Sequence, residues 1–197
     1  DWYQISDGQH RTLAVQETTN EVFNTSLYVN VVPHTVSEFI RVMTANYIAT
    51  SGESWTNYFA TENSGTYNNQ YMVVDFSKYV PGASILPDTL WIAEQIPGFV
   101  QRGDVSSFIA EHGYWASYNI PYFWNIYELS GYTEMEKRQG SFWSYSKYAR
   151  PEIFRRNHSQ VNDIHDMMRM MRYNNYKEDP LSVIPNCTAA TGGVCSP

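Results

Sequence analysis

Asn119 is the side chain best placed for chemistry in this 197-residue chain. It stands in Trp-Ala-Ser-Tyr-Asn-Ile-Pro-Tyr, residues 115–122, among aromatic rings and directly before an X-Pro step. Pro121 pushes Ile120 into an extended conformation and has no N–H of its own, so this backbone is stiff and poorly suited to continuing a helix. A stiff backbone can aim a side chain. An uncharged amide with two N–H donors suits a carbonyl oxygen that becomes negative during acyl transfer. On the segment alone, the reading in which Asn119 does no more than cap a turn is favoured.

Arg150 lies in KYARPEIFRR, residues 147–156, just ahead of a proline and the apolar pair Ile153 and Phe154. A guanidinium does not lose its charge, so beside apolar groups it can keep a thiolate or carboxylate ionised. A plain surface ion pair is the other reading, and Arg155 and Arg156 share that ambiguity. Thr18 and Thr19 end a strand pattern after Glu17, where a hydroxyl can donate a hydrogen bond near a site. The histidines are His10, His34, His112, His158 and His165, and none makes the i, i+4 pair of a zinc helix. His158, Asp163, His165 and Asp166 allow a metal-dependent hydrolase to be considered. However, both carboxylates fall in the first turns of an expected helix, where they favour the positive end of its dipole. The expectation is therefore no metal and no cofactor. There is no Gly-x-Ser-x-Gly elbow and no Gly-rich phosphate loop.

The elements that must hold these residues alternate between the two hydrophobic periods. Residues 11–19 set Leu13, Val15 and Glu17 against Thr12, Ala14 and Gln16, a strand pattern. After Pro33, the run Thr35-Val-Ser-Glu38 reads as a capping box opening an amphipathic helix through Phe39, Ile40, Met43 and Tyr47. Gly52 interrupts it, and a second helix is expected from about 53 to 61. Strands follow at 70–76 and 89–96, joined through the Pro81-Gly82 turn. Asp104 should cap a short helix ending at Gly113, and another should run from Pro121 to Leu129 and stop at Gly131. A last helix is expected from Ser159 to about Tyr176, burying Val161, Ile164, Met168 and Met171 at helical spacing. Its methionines make it soft, so a lipid-binding face is the rival of core packing. The tail, residues 185–197, reads as an irregular loop. Mixed strands and helices in this order imply α+β layers.

Composition bounds the class. With 43% hydrophobic and 17% charged residues the chain is globular, and its length suits one domain or one large piece of one. A net charge of −7 argues against a nucleic-acid partner, which requires clustered Lys and Arg. No apolar run approaches 18 residues, so no transmembrane segment is expected. Sequons at Asn24, Asn157 and Asn186, together with Cys187 and Cys195 as a candidate disulfide, point to glycosylation and the secretory pathway.

Taken together the motifs resemble the phospholipase B-like family of lysosomal and secreted proteins. They are ETT at 17–19, NSGTYNNQYMVVD at 63–75, EQIPG at 94–98 and WASYNIPY at 115–122. SGY at 130–132, the ARxxIF pattern from Ala149, and MRYNNYKEDPLS at 171–182 complete the set. The resemblance implies an N-terminal nucleophile hydrolase fold, an αββα sandwich made by self-cleavage of a precursor. It also implies a Cys nucleophile freed as a new chain terminus, where its own α-amino group serves as base. Because this chain starts at Asp1 and its cysteines lie at the other end, the nucleophile is expected upstream. The 197 residues are then one section of a single domain, with upstream and downstream parts missing, inactive alone.

By motif, Thr19, Asn119 and Arg150 become the pocket residues. Asn119 would steady the oxyanion, Arg150 would set electrostatics near the thiolate, and Thr19 would orient the site. The expected partners are the other processed chains and a lipid or amide substrate, and a homo-oligomer stays open. One departure concerns the tail, because the family carries closely spaced cysteines after Asp-Pro-Leu-Ser whereas here VIPNCTAATGGVC separates Cys187 from Cys195. The expected activity is acyl-bond hydrolysis in a lysosome or outside the cell. The rival is a non-catalytic glycoprotein that uses the same fold to bind lipid, glycan or protein.

Overall fold

The computed structural model describes residues 1–8 and 11–182. His10, Asn186, Cys187 and Cys195 therefore lie outside the described residues. The chain is mixed α and β. Five strands, β1 (Trp2–Ser6), β2 (Thr12–Thr19), β3 (Asn69–Asp75), β4 (Leu90–Ile96) and β5 (Phe99–Asp104), form one sheet in sequential order with every neighbouring pair antiparallel. Helices α1 (Glu38–Ile48) and α2 (Gly52–Ala60) cross between β2 and β3 and cover one face.

That face is apolar because alternate strand residues point to it. Leu13 and Val15 of β2, Tyr71 and Val73 of β3 and Ala93 of β4 meet Val42, Ala45, Trp55 and Phe59 of the two helices. Trp55 stacks on Phe59 with centroids 5.4 Å apart, and Phe59 meets Tyr71 at 4.4 Å. All three rings are fully or almost fully buried, each contributing about 1.5–3 kcal/mol through lost water contact. The opposite face is covered only in part. Around Leu90 and Ile92 it meets α3 (Ser106–His112) and the rings of Trp115, Tyr122 and Phe123. Towards β1 and β2 it opens into a cavity of about 480 Å³ lined by Trp2, Gln4, Ala14, Gln16, Met72 and Val74.

Helix α1 departs from expectation. Ser37 precedes it without a side-chain cap, and Thr35 Oγ1 donates instead to Val32 O at 2.8 Å. Glu38 does not close a capping box because its Oε1 accepts the Tyr71 hydroxyl in the core. The reciprocal capping box belongs to α2, between Ser51 and Ser54. The buried side of α1 is Glu38, Arg41, Val42 and Ala45, while Phe39, Ile40, Met43 and Tyr47 are exposed. Arg41 displaces them from the interior by satisfying Val36 O, Phe59 O, Ser64 and Gln95 at once.

Two edge strands, β1 and β5, stand where no strand was expected. β5 follows β4 through Pro97-Gly98, with Gly98 at φ 81°, the positive angle that a type II turn requires after proline. Asp104 ends β5 rather than capping α3, whose N-cap is Val105 without a side-chain bond; its Oδ1 still accepts Ser106 N at 2.8 Å, and Gly113 ends the helix at φ 78°.

Beyond the sheet, α4 (Trp124–Leu129) and α5 (Tyr132–Gln139) flank Gly131, and α6 (Ala149–Asn157) carries Arg150. The last helix, α7, covers only Ile164–Met171 and buries nothing. Asp163 fixes its start by accepting Asp166 N at 2.8 Å. Its continuation is lost at Arg172, its C-cap, beyond which the chain is instead held by Asp179. Ile164, Met168 and Met171, expected in the core, are exposed. Among the described residues no helix is long and apolar enough to cross a membrane.

Candidate active site

Three segments converge on Asn119. Its backbone takes a left-handed conformation at φ 62°, which asparagine tolerates better than most residues. The Tyr132 hydroxyl donates to its carbonyl at 3.0 Å and itself accepts Glu21 N at 3.0 Å. One buried ring thus locks the Asn119 turn to the chain leaving β2. That chain is fastened again where Phe23 N and Asn24 N donate to Ser130 O at 2.8 and 3.0 Å. Burial pushes the Tyr132 hydroxyl above its ordinary pKa, so it stays protonated and able to donate.

The Asn119 side chain is oriented at both ends. Arg150 Nη1 donates to its Oδ1 at 2.7 Å, and its Nδ2 donates to Thr19 O at 2.8 Å. The three residues singled out in the sequence are therefore brought together, with Thr19 contributing its backbone carbonyl rather than its hydroxyl. The hydroxyl that reaches the site is that of Thr18, bonded to Ser117 Oγ. A cavity of about 420 Å³ lies over them, lined by Thr18, Ser117, Asn119, Arg150, Ile153 and Tyr173 among others. A neighbouring cavity of about 640 Å³ shares Thr18, Ser117, Phe154, Met170 and Met171 and is walled by Trp115 and Met167. It is mainly apolar.

Helix α6 holds Arg150 in place through its far end. Arg156 meets Asp179 with two parallel bonds of 2.9 and 2.6 Å, and Tyr173 adds its hydroxyl at 2.5 Å. These bonds hold the Asp179 carboxyl well below the usual carboxylate range.

Glu94 escaped the sequence reading. It is fully buried in β4 and accepts Tyr122 N at 2.7 Å, Phe123 N at 2.9 Å and Gln70 Nε2 at 2.6 Å. Burial pushes its pKa up to about 7, against the pull of these bonds. Asn20 lies near enough to favour the ionised form, although neither of its amide atoms completes a bond of ordinary geometry. The available signal was a carboxylate inside the apolar run Ile92-Ala-Glu-Gln-Ile96.

The other candidates are engaged elsewhere. His158 stacks on Tyr114 at 4.3 Å and turns Nδ1 toward Arg155 O at 2.9 Å, Asp163 caps α7, and Asp166 pairs with Arg169. Among the described residues no group of three His, Cys, Asp or Glu could hold a metal ion. Asn24 Nδ2 donates to Leu129 O at 3.0 Å, and Asn157 Oδ1 accepts Arg156 Nε at 2.9 Å.

A partly covered antiparallel sheet whose strand end meets an amide clamped by a guanidinium defines an α+β chain with a preorganised polar pocket. The sequence profile of the family described as Phospholipase B matches residues 1–196. The chain is 48% identical over 176 residues to phospholipase B-like protein G of Dictyostelium discoideum, covering 86% of this chain and 29% of that protein. Phospholipase B of Crotalus adamanteus is 45% identical over 180 residues, 91% of this chain and 32% of that protein. Phospholipase B-like 1 of Homo sapiens is 43% identical over 182 residues, 92% and 32%. The chain belongs to the phospholipase B family. It spans under a third of the length of these relatives.

Proposed function

We propose that these residues form one section of an N-terminal nucleophile hydrolase that cleaves ester or amide acyl bonds, phospholipids among its substrates. The observation that carries this is the clamped amide of Asn119. Its Oδ1 is committed to Arg150 and one Nδ2 hydrogen to Thr19 O, which leaves the second hydrogen for a substrate carbonyl in the cavity. A guanidinium on the amide oxygen draws electron density from the nitrogen and sharpens it as a donor. Fixed donors aimed at developing negative charge lower the barrier without reorganising during the reaction.

The nucleophile is a Cys on residues outside this chain, attacking the carbonyl and forming an acyl-enzyme that water hydrolyses. On this reading the Arg150 charge would favour the thiolate form of that Cys. The apolar cavity beside the amide has the character a fatty acyl chain needs. The second sheet of an αββα sandwich would then pack on the open face of the sheet, and the cavity there supports that reading. The relatives' names support a lipid substrate, and the family resemblance supports a lysosomal or secreted protein whose partners are other chains of one precursor.

Replacing Asn119 with Ala in the full processed protein should lower fatty acid release by about 10²–10³-fold. Undiminished turnover in a folded, correctly processed variant would overturn the assignment.

A further inference from the structure

The turn that carries Asn119 is restrained on both sides. On one side Tyr132 holds the Asn119 carbonyl. On the other, past Pro121, two successive backbone N–H groups, those of Tyr122 and Phe123, converge on the separate oxygens of Glu94. Glu94 Oε1 takes a further bond from Gln70, whose position opposite Glu94 is fixed by the β3–β4 register. When ionised, Glu94 offers two acceptor oxygens and no donor, so it alone among isosteric side chains satisfies these three N–H groups. It sits on a rigid central strand, whereas Asn119 sits on a loop.

We propose that Glu94 is a positioning residue for Asn119, its paired oxygens fixing the 119–123 turn so that the amide meets Arg150 and Thr19. This rests on the acyl-hydrolase reading of the site. Glu94 touches neither the cavity nor a substrate and acts through the loop alone. Its buried, fully desolvated place is costly for a carboxyl group, and burial lifts its pKa to about 7. A carboxyl used only to fill space would be replaced by an amide without loss of function.

Glu94→Gln keeps the shape but turns an N–H against a backbone or Gln70 N–H. In the full processed protein, kcat should fall about 10- to 100-fold while KM stays within about threefold, because loop misalignment of the order of 1 Å weakens the transition state more than substrate binding. Glu94→Asp keeps both acceptor oxygens, drawn back by one methylene, and should recover part of the lost kcat. A merely structural Glu94 would lower the melting temperature of Glu94→Gln and leave the kcat of its folded fraction at the wild-type value, which overturns the proposal. If Glu94→Gln does not fold, Glu94→Asp carries the test: a lowered kcat at unchanged KM supports it, and wild-type kcat overturns it. Asn119→Ala is measured alongside. If it loses turnover while Glu94→Gln does not, the positioning role alone fails; if it keeps turnover, the catalytic reading of the site fails with it.

Discussion

The two faces of the sheet solve different problems with adjacent residues of the same strand. Gln95 points toward the helices, where it accepts Arg41 and donates to Thr66 O and Asn68 Oδ1, finishing a closed interior of Trp55, Phe59 and Tyr71. Glu94, one residue earlier, points the other way. There the register places Thr18, Gln70, Glu94 and Gln101 in a row across four strands. On the first face Arg41 and Asn68 are both bound to Gln95, while Asn69 Oδ1 is buried without a partner. On the second, the row reaches outward to the turn that holds Asn119, and the Oε1 atoms of Gln70 and Gln101 are buried without partners. The helical face holds the sheet together, and the other face aims side chains.

If that division is correct, the two faces should break differently. Trp55→Ala removes the largest ring of the closed face and should cost about 3–5 kcal/mol of stability, read by denaturant unfolding. The remaining folded molecules should keep wild-type turnover, since no ring of that cluster lines the candidate cavity. Turnover lost from the folded fraction would erase the distinction.

Next in size is a pH effect on the other face. The Glu94 carboxyl has its pKa raised in the folded chain to about 7 from an ordinary 4.5, so the folded state binds this proton more tightly than the unfolded one. Its stabilising contribution is complete below about pH 4.5 and is lost as pH rises through about 7, a change on the order of 3 kcal/mol. Unfolding measured from pH 4 to pH 8 should show this decline in the wild type and a flatter curve in Glu94→Gln. Equal slopes would remove Glu94 as the source.

The smallest expected change is Arg150→Lys. It keeps a positive charge but cannot reproduce the fixed guanidinium geometry on Asn119 Oδ1, so turnover should drop about tenfold with stability within about 0.5 kcal/mol. Equal turnover would mean that charge alone suffices at this position.

Much of this division was legible in the sequence, for identifiable reasons. Strand β2 was readable from its alternation, and β3 and β4 as apolar runs on either side of the Pro81-Gly82 turn. The edge strands β1 and β5 were not, since β1 is five residues long and β5 runs through Gln101-Arg-Gly-Asp104, which lacks an apolar face. The inner side of α1 was misread because the stripe of Phe39, Ile40, Met43 and Tyr47 outweighs Glu38 and Arg41 by hydropathy, and only tertiary partners reverse that preference. Methionine spacing likewise suggested a long buried α7, while Asp163 and the Asp179 cluster dictate a short exposed one. Of the site, Asn119, Arg150 and Thr19 were visible as residues in motifs. Glu94 stood only as the first residue of the EQIPG motif with no role assigned, because a buried carboxylate is identified by the backbone donors it meets, and those lie 28 and 29 positions away.

The left-handed backbone at Asn119 has a consequence for how freely this position can vary. Glycine would keep the turn and lose the amide, glutamine would keep an amide and strain the turn, and aspartate would suit the turn but present only acceptors to the carbonyl of Thr19. Asparagine alone meets both demands, so a saturation library at this codon should yield a single functional residue.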